Sequence, residues 1–483
     1  MGVTATVVSG CFSLSRSEGG GQIEPPEGRA VRPGDIALPP GYAIDVVAVG
    51  LTFPTSVTFD DAGNVYVLES GYVYGEVFGT ARLLRLRGKA APEVVASSDN
   101  GPWTGVTFHA GAFYVAEGGV RHGGRILRID GQGKTTALVE GLPSLGDHHT
   151  NGPAIGRDGY VYFGQGTATN SAVVGEDNAD FGWLARHPQF HDVPCRDVKL
   201  TGANLESSDP RTPDERDRAS TGAYSAFGVT TAPGQVVPGR VPCSGAIMRV
   251  PLAGGPVELV AWGFRNPFGL SFAPDGALYA TDNGYDDRGS RAVFGAADML
   301  WRVQPNTWYG WPDFSEGRPL FEDPVWGDHY RVPGKATPPR LLAEHPNRPP
   351  RPAAFFAVHG SADGFDFSTS AEFGYVGQAF VALFGDQSPA VGKVLEPVGF
   401  KVVRVDVSNG VIADFAVNRS EQQGPASKVG NGGLERPLDA RFDPSGRALY
   451  VVDFGVLRMA DKASRPEART GVLWRIHRTG AVP

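Results

Sequence analysis

One unit of sequence recurs along the chain and constrains its fold more than any other feature. Each copy is a short apolar segment, a turn centred on glycine, and a second segment rich in tyrosine and valine, as in SVTFDDAGNVYVLES and GVTFHAGAFYVAEGG. The turn glycines Gly63, Gly111 and Gly159 follow one another at intervals of 48 residues. Such segments are typical of β-hairpins, and a period near ~45 residues is typical of propeller blades. The copies begin at Ser56, Gly105, Gly152, Gly269, Gly364 and Asp439.

The six copies predict an all-β fold, a six-bladed β-propeller of four-stranded antiparallel blades. Its domain covers 39–483, with insertions near 165–244 and 310–352, and residues 1–38 form an N-terminal tether. The 66 glycines and 39 prolines among 483 residues agree with many tight turns. A linear array of the same hairpins is the alternative, but a closed ring is the usual way to remove edge strands.

Charge and hydropathy exclude two classes of function. The formal net charge is −8 and no segment carries a basic stripe, so nucleic-acid binding is not expected. No apolar run reaches the roughly 20 residues of a membrane-spanning helix.

The three cysteines bear on the location of the protein. Cys11 ends the run Val-Ser-Gly-Cys, which is similar to a bacterial lipoprotein cleavage site, although no charged or fully apolar leader region precedes it. The match either marks a lipid anchor, the only membrane contact we expect, or is accidental. Cys195 and Cys243 lie in the first insertion, where they either pair in an oxidising compartment or remain free thiols.

Propeller topology brings residues from separate blades to one end of the ring. The innermost strand of a blade runs through the ring and the next strand returns, so residues before the first strand and after the second meet at one mouth. Polar and charged residues gather there, which is typical of a site on a rigid scaffold. We expect Glu117 and Asp453 to be ordinary wet strand ends, whereas Trp103, His148 and Arg265 are candidates for the site.

Four motifs stand in propeller order between about 141 and 455. LPSLGDHHTNGPAIGRDGYVYFGQG contains an Asp-His pair eight residues before Gly156, and WGFRNPFGLSFAPDGALYATDNG contains Arg-Asn-Pro-x-Gly-Leu. The others are Tyr-Gly-Trp-Pro at 309–312 and RPLDARFDP at 436–444. Together they resemble the soluble glucose/sorbosone dehydrogenase family, six-bladed propellers that depend on pyrroloquinoline quinone (PQQ). The sorbosone dehydrogenase branch is the most similar.

The resemblance implies a general base at His148. The base would take a hydroxyl proton while hydride moves to PQQ, and imidazole suits this because its pKa lies near the operating pH. Asp147 matches the family's acid beside the base and is an expected cofactor-binding residue. His149 is a rival by adjacency, but we expect it to point away from the mouth because neighbouring residues of a strand alternate.

The resemblance also implies residues that hold PQQ, whose carboxylates and quinone oxygens suit a planar guanidinium. Arg265 and Asn266 match such positions, and Arg265 would also stabilise charge on the reduced cofactor. Asn100 stands where the family has glutamine, and Arg436 matches one of two family arginines. Leu438 replaces the second, which removes an expected carboxylate contact.

A calcium ion is the second cofactor that the resemblance implies. Asn283 is an expected cofactor-binding residue, and the carbonyls of Gly284 and Tyr285, where the second residue is usually proline, are the implied metal ligands. Ca²⁺ takes backbone oxygens readily and would polarise the quinone. The family also has a cation on blade five, for which Lys393 is the only basic candidate.

The motifs therefore predict an extracytoplasmic oxidoreductase that acts on a sugar, a sugar aldehyde or a polyol and passes electrons to a quinone pool, a cytochrome or a dye. A metal-dependent propeller hydrolase of the lactonase type is the main alternative, with Glu69, Asn283 and Asp386 as ligands. It would leave Arg265 and Arg436 without a role. A non-catalytic binding propeller is the third interpretation, and failure to bind any cofactor would favour it.

Overall fold

The computed structural model describes residues 28–73, 77–88, 90–214, 216–459 and 464–480. In this part of the chain, six antiparallel sheets form the blades of one β-propeller. The innermost strand of each blade contacts that of the next, and blade 6 contacts blade 1, so the ring is closed. The predicted all-β propeller is confirmed, and the linear array is wrong.

The blades follow the chain, and the four strands of each are named from the axis outward. Blades 1 to 3 contain Pro54–Phe59, Val65–Glu69, Ala81–Arg87 and Ala90–Ser98; Trp103–His109, Ala112–Glu117, Gly124–Asp130 and Thr135–Leu142; and Thr150–Ile155, Tyr160–Gln165, Ala246–Pro251 and Glu258–Trp262. Blades 4 to 6 contain Pro267–Phe272, Leu278–Asp282, Met299–Arg302 and Ala354–Phe355; Ala362–Phe367, Ala379–Leu383, Lys401–Asp406 and Val411–Asn418; and Pro437–Phe442, Ala448–Asp453, Gly471–Arg478 and Tyr42–Leu51.

The N-terminal segment completes the ring. The strand Tyr42–Leu51 pairs with the C-terminal strand Gly471–Arg478 and is the outermost strand of blade 6. A short strand, Ile36–Ala37, pairs with Val411–Asn418 at the edge of blade 5. The propeller thus includes two residues that were expected to belong to the tether. The predicted lipid site at Cys11 lies outside the described residues.

Short elements occupy the loops between strands. They are the 3-10 helix Pro33–Asp35, the helices Glu176–Asp180, Trp183–Arg186 and Ala426–Val429, and the hairpins Tyr72–Val73 with Val77–Phe78, Val198–Lys199 with Val236–Val237, Asn204–Ser208 with Arg218–Gly222, Phe314–Ser315 with Arg318–Pro319, and Leu457–Met459 with Ser464–Pro466. Among the described residues, no helix is long and apolar enough to cross a membrane.

The first insertion leaves blade 3 after Gln165 and returns at Ala246. A disulfide links Cys195, inside the insertion, to Cys243 near its C-terminal end, so the alternative of two free thiols is wrong. Both cysteines are buried in the same apolar cluster as strands of blades 2 and 3. The insertion is therefore anchored to the ring beside the segment that carries the two adjacent histidines.

The core lies between neighbouring blades. Because side chains alternate along a strand, one face of each sheet packs against the preceding blade and the other against the following one. Leu68 and Leu83 of blade 1, for example, share a buried cluster with Val115 and Leu127 of blade 2. This packing holds the strand ends around the mouth in fixed positions.

Candidate active site

A cavity of about 230 Å³ lies at the mouth of the ring, and its lining divides by polarity. One side comes mainly from blades 3 and 4 and is polar; besides Asp147, His149, Asp286, Asp298, His359 and Asp363 it contains a set that we call the polar arc: His148, Asn151, Arg265, Asn266, Asn283 and Arg288. The other side comes mainly from blades 5 and 6 and is largely apolar; besides Gln387 and Ser464 it contains a set that we call the apolar arc: Phe268, Phe384, Leu438, Phe454, Leu457 and Met459.

A carboxylate at the end of the second strand fixes the residues that precede the first strand. In blade 4, Asp282 accepts hydrogen bonds from the backbone N–H groups of Arg265 and Asn266, at 3.1 and 2.7 Å, and from the Trp301 indole at 3.2 Å. Burial raises the pKa of Asp282 to about 7 despite these bonds. Asp453 binds the equivalent backbone N–H groups in blade 6. Both carboxylates thus have a structural role: they fix the backbone of the residues at the mouth.

The ring of His148 is held in one orientation. Its Nδ1 lies 2.9 Å from the carbonyl oxygen of Thr167, so Nδ1 carries the proton and Nε2 has the free lone pair. Gly166 makes room for it, because an added Cβ would lie 2.3 Å from the Cβ of His148. Burial, aided by the charges of Arg265 and Arg288, lowers the pKa of His148 well below 6.5. The imidazole is therefore neutral near pH 7 and can accept a proton.

His149 also lines the cavity, contrary to the expectation that it points away from the mouth. Strand alternation does not govern the two histidines, because the strand begins only at Thr150. The ring of His149 packs near those of Tyr72 and Trp183, with centroids 5.9 and 6.0 Å away. Burial lowers its pKa to about 4. His149 thus lies in an aromatic corner, and His148 is the histidine of the polar arc.

Arg265 lies in the polar arc, as predicted, and it is buried. Its Nε donates to the side-chain and backbone oxygens of Asn170 at 3.1 and 3.2 Å. A terminal nitrogen contacts Asp286 at 2.6 Å. The guanidinium is therefore held rigidly, and a carboxylate of the protein already balances its charge.

Arg288 is a cavity residue that was not among the predicted site residues. It forms ion pairs with Asp147 at 2.9 Å, with Asp286 at 3.0 Å and with Asp177 at 2.5 Å. Burial opposes its charge, but these three carboxylates hold the pKa of Arg288 well above its ordinary value. Asp147, expected beside the base and cofactor, thus binds an arginine. The only signal in the sequence was the acidic run in which Arg288 lies.

Three amides form a continuous chain along the polar arc. Asn151 donates to Asn266 at 2.8 Å, and Asn266 donates to Asn283 at 2.8 Å. Asn283 then donates to the carbonyl oxygen of Ala362 at 3.1 Å, which joins blades 3, 4 and 5. Because each amide has donors and acceptors beyond this chain, the row suits the recognition of hydroxyl groups. Asn266 and Asn283 lie at the cavity, as predicted.

Three predicted site residues do not line the cavity in the described structure: Asn100, Tyr285 and Arg436. Asn100 donates to Glu117 at 2.8 Å within blade 2. The hydroxyl of Tyr285 donates to a backbone carbonyl of the second insertion at 3.1 Å. Arg436 is fully buried and donates to the carbonyl oxygen of Gly385 at 3.1 Å. Each side chain serves the packing of a loop, which a motif match does not reveal.

Trp103, a further candidate at the mouth, is also structural. It is fully buried, and its indole donates to Glu117 at 3.0 Å. The same carboxylate binds Arg125 at 2.5 Å. Glu117 is thus the centre of a buried network, and the expectation that it is a wet strand end is wrong.

The cavity fits the quinone oxygens of PQQ but does not fit its carboxylates. His148 and the amide chain present hydrogen-bonding groups without net charge. Arg265 and Arg288 are each paired with aspartate. Arg436 lies behind the ring of Phe384, 4.9 Å from its centroid, and Leu438 belongs to the apolar arc. Lys393, the candidate on blade five, is exposed and does not line the cavity.

The predicted calcium ligands lie on a segment packed tightly against its neighbours. Gly284 lines the cavity, and an added Cβ would lie 2.6 Å from the carbonyl oxygens of Ala296 and Ala297. Its N–H donates to Asp298 at 2.7 Å. Within the described ranges, no three His, Cys, Asp or Glu side chains are grouped to hold a metal. A calcium site here would depend on backbone oxygens and remains a prediction.

No family model matches the sequence, and no curated protein matches it. Solved structures do match. The holo PQQ domain of pyranose dehydrogenase from Coprinopsis cinerea is 16% identical over 94% of this chain and 98% of that chain, with a TM-score of 0.54. A calcium structure of a family AA12 carbohydrate-active enzyme from Trichoderma reesei is 15% identical over 93% and 98%, with a TM-score of 0.53.

The PQQ-bound aldose sugar dehydrogenase from Streptomyces coelicolor is 14% identical over 91% of this chain and 99% of that chain, with a TM-score of 0.50. The chain therefore shares the propeller fold of these three structures, two of which are named as PQQ-binding sugar dehydrogenases. Identities this low show the shared fold alone. The sorbosone branch remains a prediction.

Proposed function

We propose that this chain is an oxidoreductase that oxidises a hydroxyl group of a sugar, a sugar aldehyde or a polyol, with His148 as general base. The observation that carries the proposal is the state of that imidazole. Its Nδ1 is fixed by Thr167, its lowered pKa keeps it neutral, and it lines a cavity beside an amide row. A neutral histidine with one free ring nitrogen can accept the proton of a substrate hydroxyl group.

The other residues of the polar arc have supporting roles in this proposal. The amides of Asn151, Asn266 and Asn283 bind neighbouring hydroxyl groups and so choose which one faces His148. As the proton moves to Nε2, negative charge develops on the substrate oxygen. Arg265 stabilises that charge, because a fixed donor in a partly dry cavity acts strongly.

The electron acceptor in this proposal is a quinone cofactor, and PQQ is the first to test. The matched structures from Coprinopsis cinerea and Streptomyces coelicolor are described as holo and PQQ-bound. A bound quinone would supply the hydride acceptor. Because the side chains of the apolar arc offer no cation to a carboxylate, we expect PQQ to bind weakly in this chain. Calcium at Gly284 and Tyr285, and the sorbosone-type substrate, belong to the same proposal.

We also propose an extracytoplasmic location, in the periplasm, secreted, or held at the cell surface by a lipid on Cys11. The disulfide between Cys195 and Cys243 supports this location, because disulfides persist mainly in oxidising compartments. The reduced cofactor would pass its electrons to a quinone pool or a cytochrome there.

Reconstitution tests the proposal. Purified protein receives PQQ and Ca²⁺, and reduction of an artificial dye is followed with aldoses, sorbosone and polyols. We expect turnover on at least one substrate, and His148→Ala should lower kcat by roughly 10²–10⁴-fold. His149→Ala is the matched control and should retain most activity. If activity were lost in His149→Ala and retained in His148→Ala, the base would be His149 and the proposed assignment would be wrong.

The two alternatives have less support from the described residues. The hydrolase needs Glu69, Asn283 and Asp386 around one metal. Glu69 instead binds Arg82, and Asp386 accepts backbone N–H groups of its own loop, and neither lines the cavity. A non-catalytic binding propeller would be favoured if no cofactor bound and no substrate reduced the dye.

A further inference from the structure

The apolar arc is a built surface rather than a scatter of side chains. Its members belong to one packed cluster, in which the rings of Phe384 and Phe454 meet edge to face at 5.5 Å. Phe53 stacks on Phe454 from behind at 5.6 Å. Phe268 and Met459 are half-buried and complete the surface. The rings are therefore held in place, and their free side faces the cavity.

No charge of the protein reaches the cavity through this arc in the described structure. Arg436 lies behind the arc, and its guanidinium lies over the rings of Phe384 and Phe400 at 4.9 and 5.0 Å. It is fully buried and donates to the carbonyl oxygens of Gly385 and Asp386, both at 3.1 Å. A carboxylate placed against the six arc side chains would lose water and gain no cation from them.

A hydroxyl group placed against the rings would also be poorly bound, because the six arc side chains offer it neither donor nor acceptor. An uncharged aromatic ring has neither a charge to desolvate nor a hydrogen bond to satisfy. Aromatic rings pack well against other rings at centroid separations of about 4.5–7 Å, edge to face or offset. The polar arc across the same cavity has the opposite preference, since its amides and His148 suit hydroxyl groups. The two arcs together select a ligand with one end of each kind.

We propose that the cavity binds a sugar joined to an uncharged aromatic group, an aryl glycoside, with the sugar at the polar arc and the aromatic ring against the apolar arc. The orientation of the sugar rests on the proposed function, because it places a hydroxyl beside His148. The place of the aromatic ring depends on the apolar arc alone.

Isothermal titration calorimetry of the purified protein tests this directly. The probes are the methyl, phenyl and 4-carboxyphenyl β-glycosides of glucose and of galactose. We expect a phenyl glycoside to bind about tenfold or more tightly than its methyl and 4-carboxyphenyl counterparts. Equal binding of the phenyl and methyl forms, tighter binding of the carboxylated form, or no binding of any probe would overturn the proposal.

A charge introduced into the arc should reverse the order. Leu438→Arg should raise the affinity for the 4-carboxyphenyl form about tenfold or more, whereas Leu438→Met should keep the wild-type order. Met459→Lys is a second variant at a half-buried position, used if near-ultraviolet circular dichroism shows that Leu438→Arg is unfolded. An unchanged order in a folded cationic variant would contradict the assignment of the ring to this arc.

The result can be separated from the fate of the proposed function. If the phenyl form binds best and nothing is oxidised, the oxidoreductase proposal is wrong and the ligand class stands. If substrates are oxidised with no preference for an aryl group, the ligand class is wrong and the oxidoreductase stands. His148→Ala should keep the order of binding while oxidation is lost.

Discussion

Asp192 provides the sharpest test of how the insertion supports the site. Its carboxylate accepts the backbone N–H of Ala168 at 2.6 Å and the hydroxyl of Thr169 at 2.5 Å. These residues follow Thr167, whose carbonyl holds the imidazole of His148. Burial outweighs the two hydrogen bonds and raises the pKa of Asp192 from 3.8 to about 7. Asp192→Asn keeps the shape of the side chain and removes the titration.

The sign and size of the effect follow from that shift. Between the two pKa values the folded chain holds a proton that the unfolded chain has lost. The stability from Asp192 is therefore complete below pH ~4 and is lost as the pH rises through about 7. Between pH ~5 and ~8, this single carboxyl should lower the free energy of unfolding by about 3 kcal/mol. The amide of the Asp192→Asn variant does not titrate and contributes no such dependence.

Urea unfolding at a series of pH values measures this difference. The free energy of unfolding of the wild type should fall by about 3 kcal/mol more than that of Asp192→Asn between pH ~5 and ~8. Other buried carboxyls titrate in both proteins and cancel. Asp61→Asn, at an exposed turn, is the control and should follow the wild type. Parallel curves for the wild type and Asp192→Asn would refute the reasoning.

Three further predictions concern the site and the insertion. Because burial and two neighbouring arginines lower the pKa of His148 well below 6.5, kcat/KM should stay level as the pH falls from ~8 to ~6 and decrease only in more acidic buffer. Arg265→Lys should lower kcat by roughly 100-fold, since lysine cannot make the three hydrogen bonds that hold the guanidinium. Replacing Cys195 and Cys243 by serine should reduce the free energy of unfolding by about 4 kcal/mol, because the disulfide spans 48 residues.

Each of these has an outcome that would contradict it. A pH profile that falls around 6.5 would show that the base is not the buried imidazole of His148. Full activity in Arg265→Lys would show that catalysis does not need the guanidinium group. A serine variant as stable as the wild type would mean that the insertion constrains the unfolded chain little.

The fold was predictable from the sequence because a repeat records it several times over. Every hairpin carries its own glycine turn and alternating pattern, so an error in one copy is corrected by the others. The closing strand Tyr42–Leu51 has no such support, since it pairs with a segment from the other end of the chain. Local patterns cannot show which distant strand will lie beside it.

The site was predictable where position alone decides the role. His148, Arg265 and Asn266 precede first strands, and the ring brings them to the mouth whatever their neighbours are. Arg436 occupies the same kind of position and yet turns into the protein, because carbonyl oxygens and two aromatic rings bind its guanidinium there. Arg288, by contrast, lines the cavity, because three carboxylates bind it there. Such choices depend on residues from other blades, which a single motif does not contain.

The pairing of charges around the cavity gives a physical reason to expect a ligand without charge. Arg265 and Arg288 share Asp286, and Arg288 also binds Asp147, so the arginines are neutralised before a ligand arrives. An anionic ligand would have to compete with these buried carboxylates, and separating a buried ion pair is costly. A sugar hydroxyl needs only the amide row and His148, which already face the cavity. The same preference for an uncharged ligand agrees with the apolar arc across the cavity, whose described side chains carry no cation.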